Sequence, residues 1–261
     1  MKKIISNNMK IGLVLSGGGS RGFGHLGVLK AIDELKIKPA IISGASVGSL
    51  IGAFYAYGYA PDEISKIILK KGISGNIKLA FNKMGIFSLE KVEKLVIEYL
   101  PENRFESLKI PLVIAATEIR RGEIVYFRSG NDLAKVVTAS CAIPGIFSPV
   151  IIAGKSYIDG GVLNNMPIEP IENEVDLKIG INVMPIERKM PVSSAKDIIM
   201  KSLLMSIGEQ SARKSHKFDI LIEPKNIVHF NGLSLKHAKV MFDLGYNTAI
   251  QQLQKSAEMF L

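Results

Sequence analysis

The stretch IISGASVGSLIGAFYAY (residues 41–57) joins a short apolar run to a longer apolar segment through a serine. Its first three residues predict a buried strand, and the segment from Leu50 to Tyr57 predicts a helix. Ser46 lies at the turn between them, with Gly44 and Gly48 two positions away on either side. This G-x-S-x-G pattern predicts a nucleophile elbow, because the glycines remove side chains that would clash in a sharp turn. The amides at the start of the helix are then expected to stabilise negative charge on a substrate oxygen.

A second glycine-rich turn lies upstream of the serine. Lys10 to Leu15 predicts a buried strand, Gly17-Gly18-Gly19-Ser20-Arg21-Gly22 follows it, and Phe23 to Leu35 has the apolar spacing of a helix. The glycine spacing fits the dinucleotide-binding pattern G-x-G-x-x-G, which needs an acidic residue at the end of the next strand. That strand, Pro39 to Ser43, contains no carboxylate. The pattern therefore favours the alternative, in which the exposed amides of this loop form an oxyanion hole.

A serine nucleophile needs a neighbouring base that accepts its proton. Four histidines are available, but none lies in a recognisable loop with a paired acid: His25, His216, His229 and His237. The alternative base is Asp159, which follows a strand predicted from Ser156 to Ile158 and precedes Gly160 and Gly161. An aspartate before two glycines is also typical of an ordinary turn, so the residues alone leave both interpretations open.

Short apolar runs alternate with helical patterns along the chain. Further strands are predicted at Pro111–Thr117, Glu123–Phe127, Val150–Ala153, Leu177–Val183 and Ile220–Ile222. Further helices are predicted at Pro61–Lys71, from an N-cap at Ser88 to Leu100, and at Asp132–Ala139, Ala195–Lys214 and Ser234–Ala257. The segment from Gly72 to Phe87 holds three glycines without a clear period and is a candidate for a mobile flap over the site. The alternation predicts an α/β layered fold with a mostly parallel sheet.

Length and composition predict one domain over residues 1–261, since no linker or repeat divides the chain and 47% of its residues are hydrophobic. The single cysteine, Cys141, excludes an internal disulfide framework and is typical of a reducing compartment. The first residues lack the apolar core of a signal peptide, and no stretch reaches the roughly 18 apolar residues of a membrane-spanning helix. We therefore expect a cytoplasmic protein, with or without peripheral membrane contact.

The formal net charge of +9 indicates attraction to anionic surfaces. Seven basic residues against three acidic ones lie between Glu187 and Lys217: Arg188, Lys189, Lys196, Lys201, Arg213, Lys214 and Lys217. Such a run is most often a solvated helix face. Because aromatic residues are few there and no nucleic-acid-binding motif is present, an anionic membrane surface is a better partner than nucleic acid.

The three motifs, taken in order, resemble the patatin-like phospholipase family: the loop of Gly17 to Gly22, the elbow at Ser46, and Asp159-Gly160-Gly161. The likeness spans Ile11 to about Pro167. It also includes Arg21, the segment His25-Leu26-Gly27-Val28-Leu29, the block Ala139-Ser140-Cys141-Ala142-Ile143-Pro144 and the turn Asn165-Met166-Pro167.

The resemblance implies a three-layer α/β/α fold with a patatin-like, mostly parallel central sheet. It places the motif-bearing core at about residues 9–170 and a variable C-terminal part at about 184–261. It also implies a catalytic dyad in which Ser46 attacks an acyl ester and Asp159 takes up the proton, followed by hydrolysis of the acyl-enzyme. The amides of the oxyanion hole would come from Gly17, Gly18 and Gly19, with Val47 as a further donor. The supporting residues of the motifs would be Arg21, Gly22, Gly44, Gly48, Gly160 and Gly161.

Three side chains carry further expectations. An aspartate of ordinary pKa is a weak base, so Asp159 is expected to be partly desolvated. Arg21 is expected to fix the glycine-rich loop, and Cys141 to be a packed structural thiol without a base partner.

The leading hypothesis is a serine lipid acyl hydrolase, a phospholipase or esterase that cleaves fatty-acyl esters of phospholipids or related lipids. It requires a lipid substrate and implies no cofactor, no metal and no nucleic acid. The alternative is a lipid-surface binding or regulatory module with vestigial hydrolase activity. A nucleotide-dependent oxidoreductase is a third possibility.

Overall fold

Eight strands lie in the part of the chain that the structure describes, which comprises residues 9–71, 89–185, 192–232 and 234–256 of a computed structural model. They are β1 (Ile11–Leu15), β2 (Pro39–Ala45), β3 (Leu112–Glu118), β4 (Glu123–Phe127), β5 (Val150–Ile152), β6 (Lys155–Asp159), β7 (Leu177–Ile181) and β8 (Ile220–Ile222). The α-helices of the same residues are α1 (Phe23–Glu34), α2 (Val47–Tyr57), α3 (Pro61–Lys71), α4 (Glu90–Tyr99), α5 (Leu133–Ser140), α6 (Gly161–Asn164), α7 (Ala195–Arg213) and α8 (Ala238–Lys255).

These strands form one sheet with the order β5-β6-β3-β2-β1-β7-β8, and β4 pairs with β3 in addition. The run from β3 through β2, β1 and β7 to β8 is parallel, whereas β4, β5 and β6 pair antiparallel near one edge. Parallel neighbours need crossover connections, and most of these contain the helices that cover the sheet. The expected three-layer α/β/α fold with a mostly parallel sheet is confirmed.

Side chains of β1 alternate between the two faces of the sheet. Leu13 and Leu15 belong to the main core, which they share with the flanking helices, whereas Val14 belongs to a smaller cluster with Met166 and Ile168. All five positions of β1 are buried, as is typical of a central parallel strand covered on both faces. The glycine-rich loop therefore follows directly from the end of a fully buried strand.

The turn that holds the serine is tighter than the sequence predicts. β2 continues through Ala45 and α2 begins at Val47, whereas the expected helix began at Leu50. Only Ser46 separates strand from helix. Gly48 permits this close approach, because a Cβ atom added there would overlap the carbonyl oxygen of Leu15.

Two further elements differ from the prediction. The short helix α6 was not expected, and α8 begins at Ala238 rather than Ser234, because the preceding backbone forms separate turns. The expected flap at 72–87 and the N-cap at Ser88 lie outside the described residues. Within the described ranges, no helix is both long enough and apolar enough to cross a membrane.

Candidate active site

Strand β3 brings the two candidate catalytic residues together. Parallel pairing sets Ala45 of β2 opposite Ala115, and Ser46 follows Ala45 directly. Antiparallel pairing sets Asp159, the last residue of β6, opposite Ala116. Ser46 and Asp159 thus reach neighbouring positions at one end of the sheet although they are far apart in the sequence.

Ser46 has the strained backbone expected of a nucleophile elbow. Its φ of 53° and ψ of −128° are unusual for a residue other than glycine, and it is the N-cap of α2. Its N–H donates to the Ser140 hydroxyl at 2.8 Å, and that hydroxyl donates to the Ala115 carbonyl at 2.7 Å. The Ser49 hydroxyl donates to the Ser46 carbonyl at 2.6 Å. These bonds hold the elbow through the backbone of Ser46 and do not involve its side chain.

Asp159 is buried, and its Oδ1 accepts a hydrogen bond from the N–H of Gly161 at 2.7 Å. Burial is the dominant influence and raises the pKa of Asp159 to about 6, although the Ser46 side chain and the Gly161 N–H both act to lower this pKa. The desolvation expected for this carboxyl is therefore present. A carboxylate with this pKa is ionised at neutral pH and is a better base than an ordinary aspartate.

The three glycines after β1 differ in what their N–H groups contact. Gly17 donates to Oδ1 of Asn165 at 3.0 Å. The N–H groups of Gly18 and Gly19 have no hydrogen-bond partner among the residues that the structure describes. Gly18 and Gly19 adopt φ values of 153° and 58°, which favour glycine. Gly18 and Gly19 are thus available to an oxyanion, whereas Gly17 would first have to release Asn165.

A C-terminal segment, residues 228–232, runs along the glycine-rich loop and fixes it. The Arg21 guanidinium donates to the carbonyl oxygens of Phe230 and Val228, both at 2.9 Å. The Ser20 N–H donates to the Gly232 carbonyl at 2.7 Å, and the Ser20 hydroxyl donates to that of Asn231 at 2.9 Å. Through these two bonds the buried Arg21 side chain links the glycine-rich loop to the backbone of residues 228–232. No motif in the sequence indicates this role for residues 228–232.

A cavity of about 440 Å³ opens in front of the two residues. The glycine-rich loop, Ser46 and Asp159 form one wall, and residues 228–232 form part of the rim. Helix α7 forms the opposite wall with four apolar side chains: Met200, Leu203, Leu204 and Ile207. The volume and the apolar lining suit a small organic or lipid ligand.

The histidines do not contact the serine in the described part of the chain. His25 is buried, its Nε2 lies 2.8 Å from the Ser16 carbonyl, and burial lowers its pKa to about 4. His229 lines the large cavity without a hydrogen bond to Ser46. Burial also raises the pKa of the Cys141 thiol, which keeps it neutral. Among the described residues, Asp159 is therefore the candidate base that strand pairing brings beside Ser46.

Two polar residues of the site were not assigned a role from the sequence. Ser140 links the elbow to β3, and Asn165 connects Gly17 to the Ser211 hydroxyl of α7 at 3.3 Å. Both lie inside segments that carry the family resemblance, which is the signal that could have identified them. Over the described ranges, no group of three or more His, Cys, Asp or Glu side chains is placed to hold a metal ion.

The family model for patatin-like phospholipase matches residues 13–171, which is more than half of the chain. With the fold and the site described above, this defines a class of lipid ester hydrolases. The chain belongs to the patatin-like phospholipase family, and the resemblance noted in its sequence is confirmed. The matched region contains the glycine-rich loop, the elbow and Asp159, but ends before α7 and residues 228–232.

Several curated relatives are similar over this region. An uncharacterised NTE family protein of Mycobacterium tuberculosis is 31% identical over 68% of this chain and 50% of its own length. An uncharacterised protein of Acanthamoeba polyphaga mimivirus is 29% identical over 97% of both chains. Lysophospholipase NTE1 of Mycosarcoma maydis is 29% identical over 61% of this chain and 9% of its own length. The match thus spans about half of the mycobacterial relative and a small part of the fungal one.

Solved structures share the fold at low sequence identity. VipD from Legionella pneumophila superposes with a TM-score of 0.61 at 16% identity, over 96% of this chain and 68% of VipD. ExoU of Pseudomonas aeruginosa, in complex with SpcU, has a TM-score of 0.50 at 14% identity, over 97% of this chain and 54% of ExoU. These likenesses concern the fold alone.

Proposed function

We propose that the chain is a serine lipid acyl hydrolase that cleaves fatty-acyl esters of phospholipids or related lipids through a dyad of Ser46 and Asp159. The observation that carries the proposal is that strand pairing brings Ser46, at a strained elbow, and the buried carboxylate of Asp159 to one end of the sheet, where both line the same cavity. The large apolar-walled cavity in front of this pair supports a lipid as the substrate. Lysophospholipase NTE1, similar over 61% of this chain, supports the same substrate class.

The reaction has two steps in which the same proton acceptor is used. Ser46 Oγ bonds to the ester carbon while its proton moves to Asp159, and the ester C–O bond then breaks as that proton passes to the departing alcohol. Water next attacks the acyl-enzyme and gives a proton to Asp159, and the bond from the acyl carbon to Ser46 Oγ breaks. Ser46 recovers the proton from Asp159, so the products are an alcohol and a fatty acid.

The oxyanion of each step needs donors that are already oriented. The N–H groups of Gly18 and Gly19 are the best candidates, because Gly17 is engaged by Asn165. Val47, at the start of α2, adds a helix-end amide next to the nucleophile. Each such donor is worth about 3 kcal/mol of transition-state stabilisation in comparable enzymes. The bonds from Arg21 and Ser20 to residues 228–232 keep this loop in place before the substrate arrives.

The proposal is tested with a mixed phospholipid extract and mass spectrometry of the products. We expect the protein to release free fatty acid and the matching lysolipid or deacylated headgroup. A sample treated beforehand with a fluorophosphonate serves as the control and should release neither product. Lipid binding without any release of fatty acid would instead favour the alternative, a lipid-binding module.

We also propose that α7 touches the surface of an anionic bilayer. This helix exposes Ile198 (56%), Ile199 (71%) and Met205 (53%), while neighbouring residues of the same helix line the large cavity. A lipid could thus pass from a bilayer to the cavity along one continuous apolar surface. The net charge of +9 complements anionic headgroups.

The basic stretch around α7 supports this contact less than its sequence suggests. Lys214 pairs with Glu169 at 2.7 Å, Lys217 pairs with Glu172 at 2.9 Å, and Arg213 lies 3.3 Å from a carboxylate oxygen one turn away. Arg188 and Lys189 lie outside the described residues. The exposed apolar side chains, rather than these cations, are therefore the main support for the bilayer contact.

Substitution of Ile199 by Ser is expected to weaken binding to phosphatidylglycerol-containing vesicles by about tenfold, because a large apolar side chain no longer enters the interface. Co-sedimentation with vesicles measures this change. Ile151→Ser, at a residue 51% exposed on the edge strand β5, is the matched control and should bind normally. An equal loss of vesicle binding in both variants would contradict the proposal that α7 contacts the bilayer. Vesicle binding that does not weaken as salt is added would contradict the proposed attraction between the net positive charge and anionic headgroups.

A further inference from the structure

Ser46 lies at the junction of two cavities, and the second has not yet been assigned a role. The second cavity has a volume of about 130 Å³ and shares Gly19, Ser46, Ile143 and Gly232 with the large one. Of these two cavities, Asp159 lines only the large one. The nucleophile therefore faces two spaces, of which only one contains the base.

The walls of the second cavity are almost entirely apolar. They come from helix α2 and from the helices packed beside it, with side chains such as Leu50, Ile51, Ile68, Leu89 and Val92. All five of these residues are buried. A dry apolar space of this kind does not stabilise a phosphate or a sugar headgroup, because their polar groups would lose their hydrogen bonds to water.

The geometry of acyl transfer decides which part of the substrate enters which cavity. The tetrahedral carbon carries Ser46 Oγ, the oxyanion, the leaving oxygen and the acyl chain. The leaving oxygen must face Asp159, since it takes its proton from that carboxyl, and so it lies on the side of the large cavity. The oxyanion faces the amides of Gly18 and Gly19. The remaining direction belongs to the acyl chain.

We propose that the second cavity is the acyl-chain subsite, an assignment that rests on the proposed hydrolase function. The large cavity, which polar residues such as Asn165, His229 and Asn231 also line, then receives the alcohol portion of the lipid. An apolar cavity of about 150 Å³ in another protein accommodates benzene. The subsite, at 130 Å³, accordingly holds about six carbons of an acyl chain.

The subsite predicts how activity depends on acyl length. Each methylene group buried in the cavity stabilises the transition state, so kcat/KM for p-nitrophenyl esters should rise about fourfold per methylene from acetate to hexanoate. Beyond about six carbons the increase should stop, because the cavity is full. The leaving group is the same throughout this series, so the large cavity contributes equally to every ester.

Three variants test which of the two cavities causes the dependence of activity on acyl length. Val92→Phe fills the second cavity and should lower the ratio of hexanoate to acetate activity at least tenfold. Val92→Ala enlarges the cavity and should extend the rise to longer esters, a shift that loss of stability does not produce. Leu203→Phe, on the α7 wall of the large cavity, is the control and should leave the acyl-length ratio unchanged.

The outcomes separate the two proposals. A length dependence that responds to Leu203→Phe but to neither Val92 variant would overturn the acyl subsite while leaving the hydrolase function intact. Absence of hydrolysis of every ester by the folded wild-type protein would overturn the proposed function itself. The predicted ratios in the two Val92 variants would support both.

Discussion

Replacing Ser46 by Ala is expected to lower kcat/KM for p-nitrophenyl butyrate by at least about a thousandfold, since no acyl-enzyme can form without the hydroxyl. The backbone bond from residue 46 to the Ser140 hydroxyl does not involve the lost group, so the elbow should persist. Intact mass after treatment with a fluorophosphonate provides a second measurement. Wild type should gain one adduct and Ser46→Ala none.

The control for this change is a serine outside the site. Ser107 has its hydroxyl bonded to the Arg104 carbonyl at 2.7 Å, in a short turn remote from the cavity lining. Ser107→Ala should retain full activity and full labelling. Hydrolysis by Ser46→Ala at more than a few per cent of the wild-type rate would show that another residue is the nucleophile.

Replacing Asp159 by Asn is expected to lower kcat/KM by about a hundredfold or more, the usual contribution of a general base. The carboxamide has nearly the same shape, and its oxygen can still accept the Gly161 N–H. It cannot accept the Ser46 proton. Asp62→Asn, at an exposed carboxyl that pairs with Lys30 at 2.8 Å, is the control and should remain active.

The pH dependence of the wild type provides the complementary measurement. Because burial raises the pKa of Asp159 to about 6, the activity should reach its maximum above about pH 7 and should be lost as the pH falls through about 6. The raised pKa also means that the folded state binds this proton more tightly than the unfolded chain, so ionisation at higher pH destabilises the fold. Asp159→Asn should therefore unfold at no lower temperature than wild type at pH 8. A clear drop in melting temperature together with lost activity would point to a structural role instead.

The sequence predicted the local parts of the site well. The apolar runs of β1 and β2 are each followed by glycines, and this local pattern was sufficient to indicate both turns. At the elbow, the residues two positions from the nucleophile have to lack a side chain. The meeting of Ser46 and Asp159 at one end of the sheet could not be predicted in the same way. It depends on the register of β3 with two other strands, which no local pattern encodes, and was expected only from the family resemblance.

Longer-range features could not be predicted. The basic stretch near α7 was interpreted first as a solvated helix face and second as a membrane-binding surface, yet Lys214 and Lys217 meet Glu169 and Glu172, which lie more than 40 positions earlier in the chain. Helix α7 was predicted from its sequence as a helix, and the structure shows that its apolar residues line the cavity and also lie exposed to solvent. Such pairings depend on tertiary packing and are invisible to periodicity.

The attachment of the glycine-rich loop to residues 228–232 has a consequence for how the chain matures. The Ser20 hydroxyl is bonded to a carbonyl oxygen 211 positions later, so the loop lacks this support until the two segments meet. Contacts of such long sequence separation slow folding, because the entropy of the intervening chain is lost before they form. On the proposed mechanism, a chain that is still being synthesised and lacks residues 228–232 is expected to carry Ser46 and Asp159 without an ordered oxyanion loop.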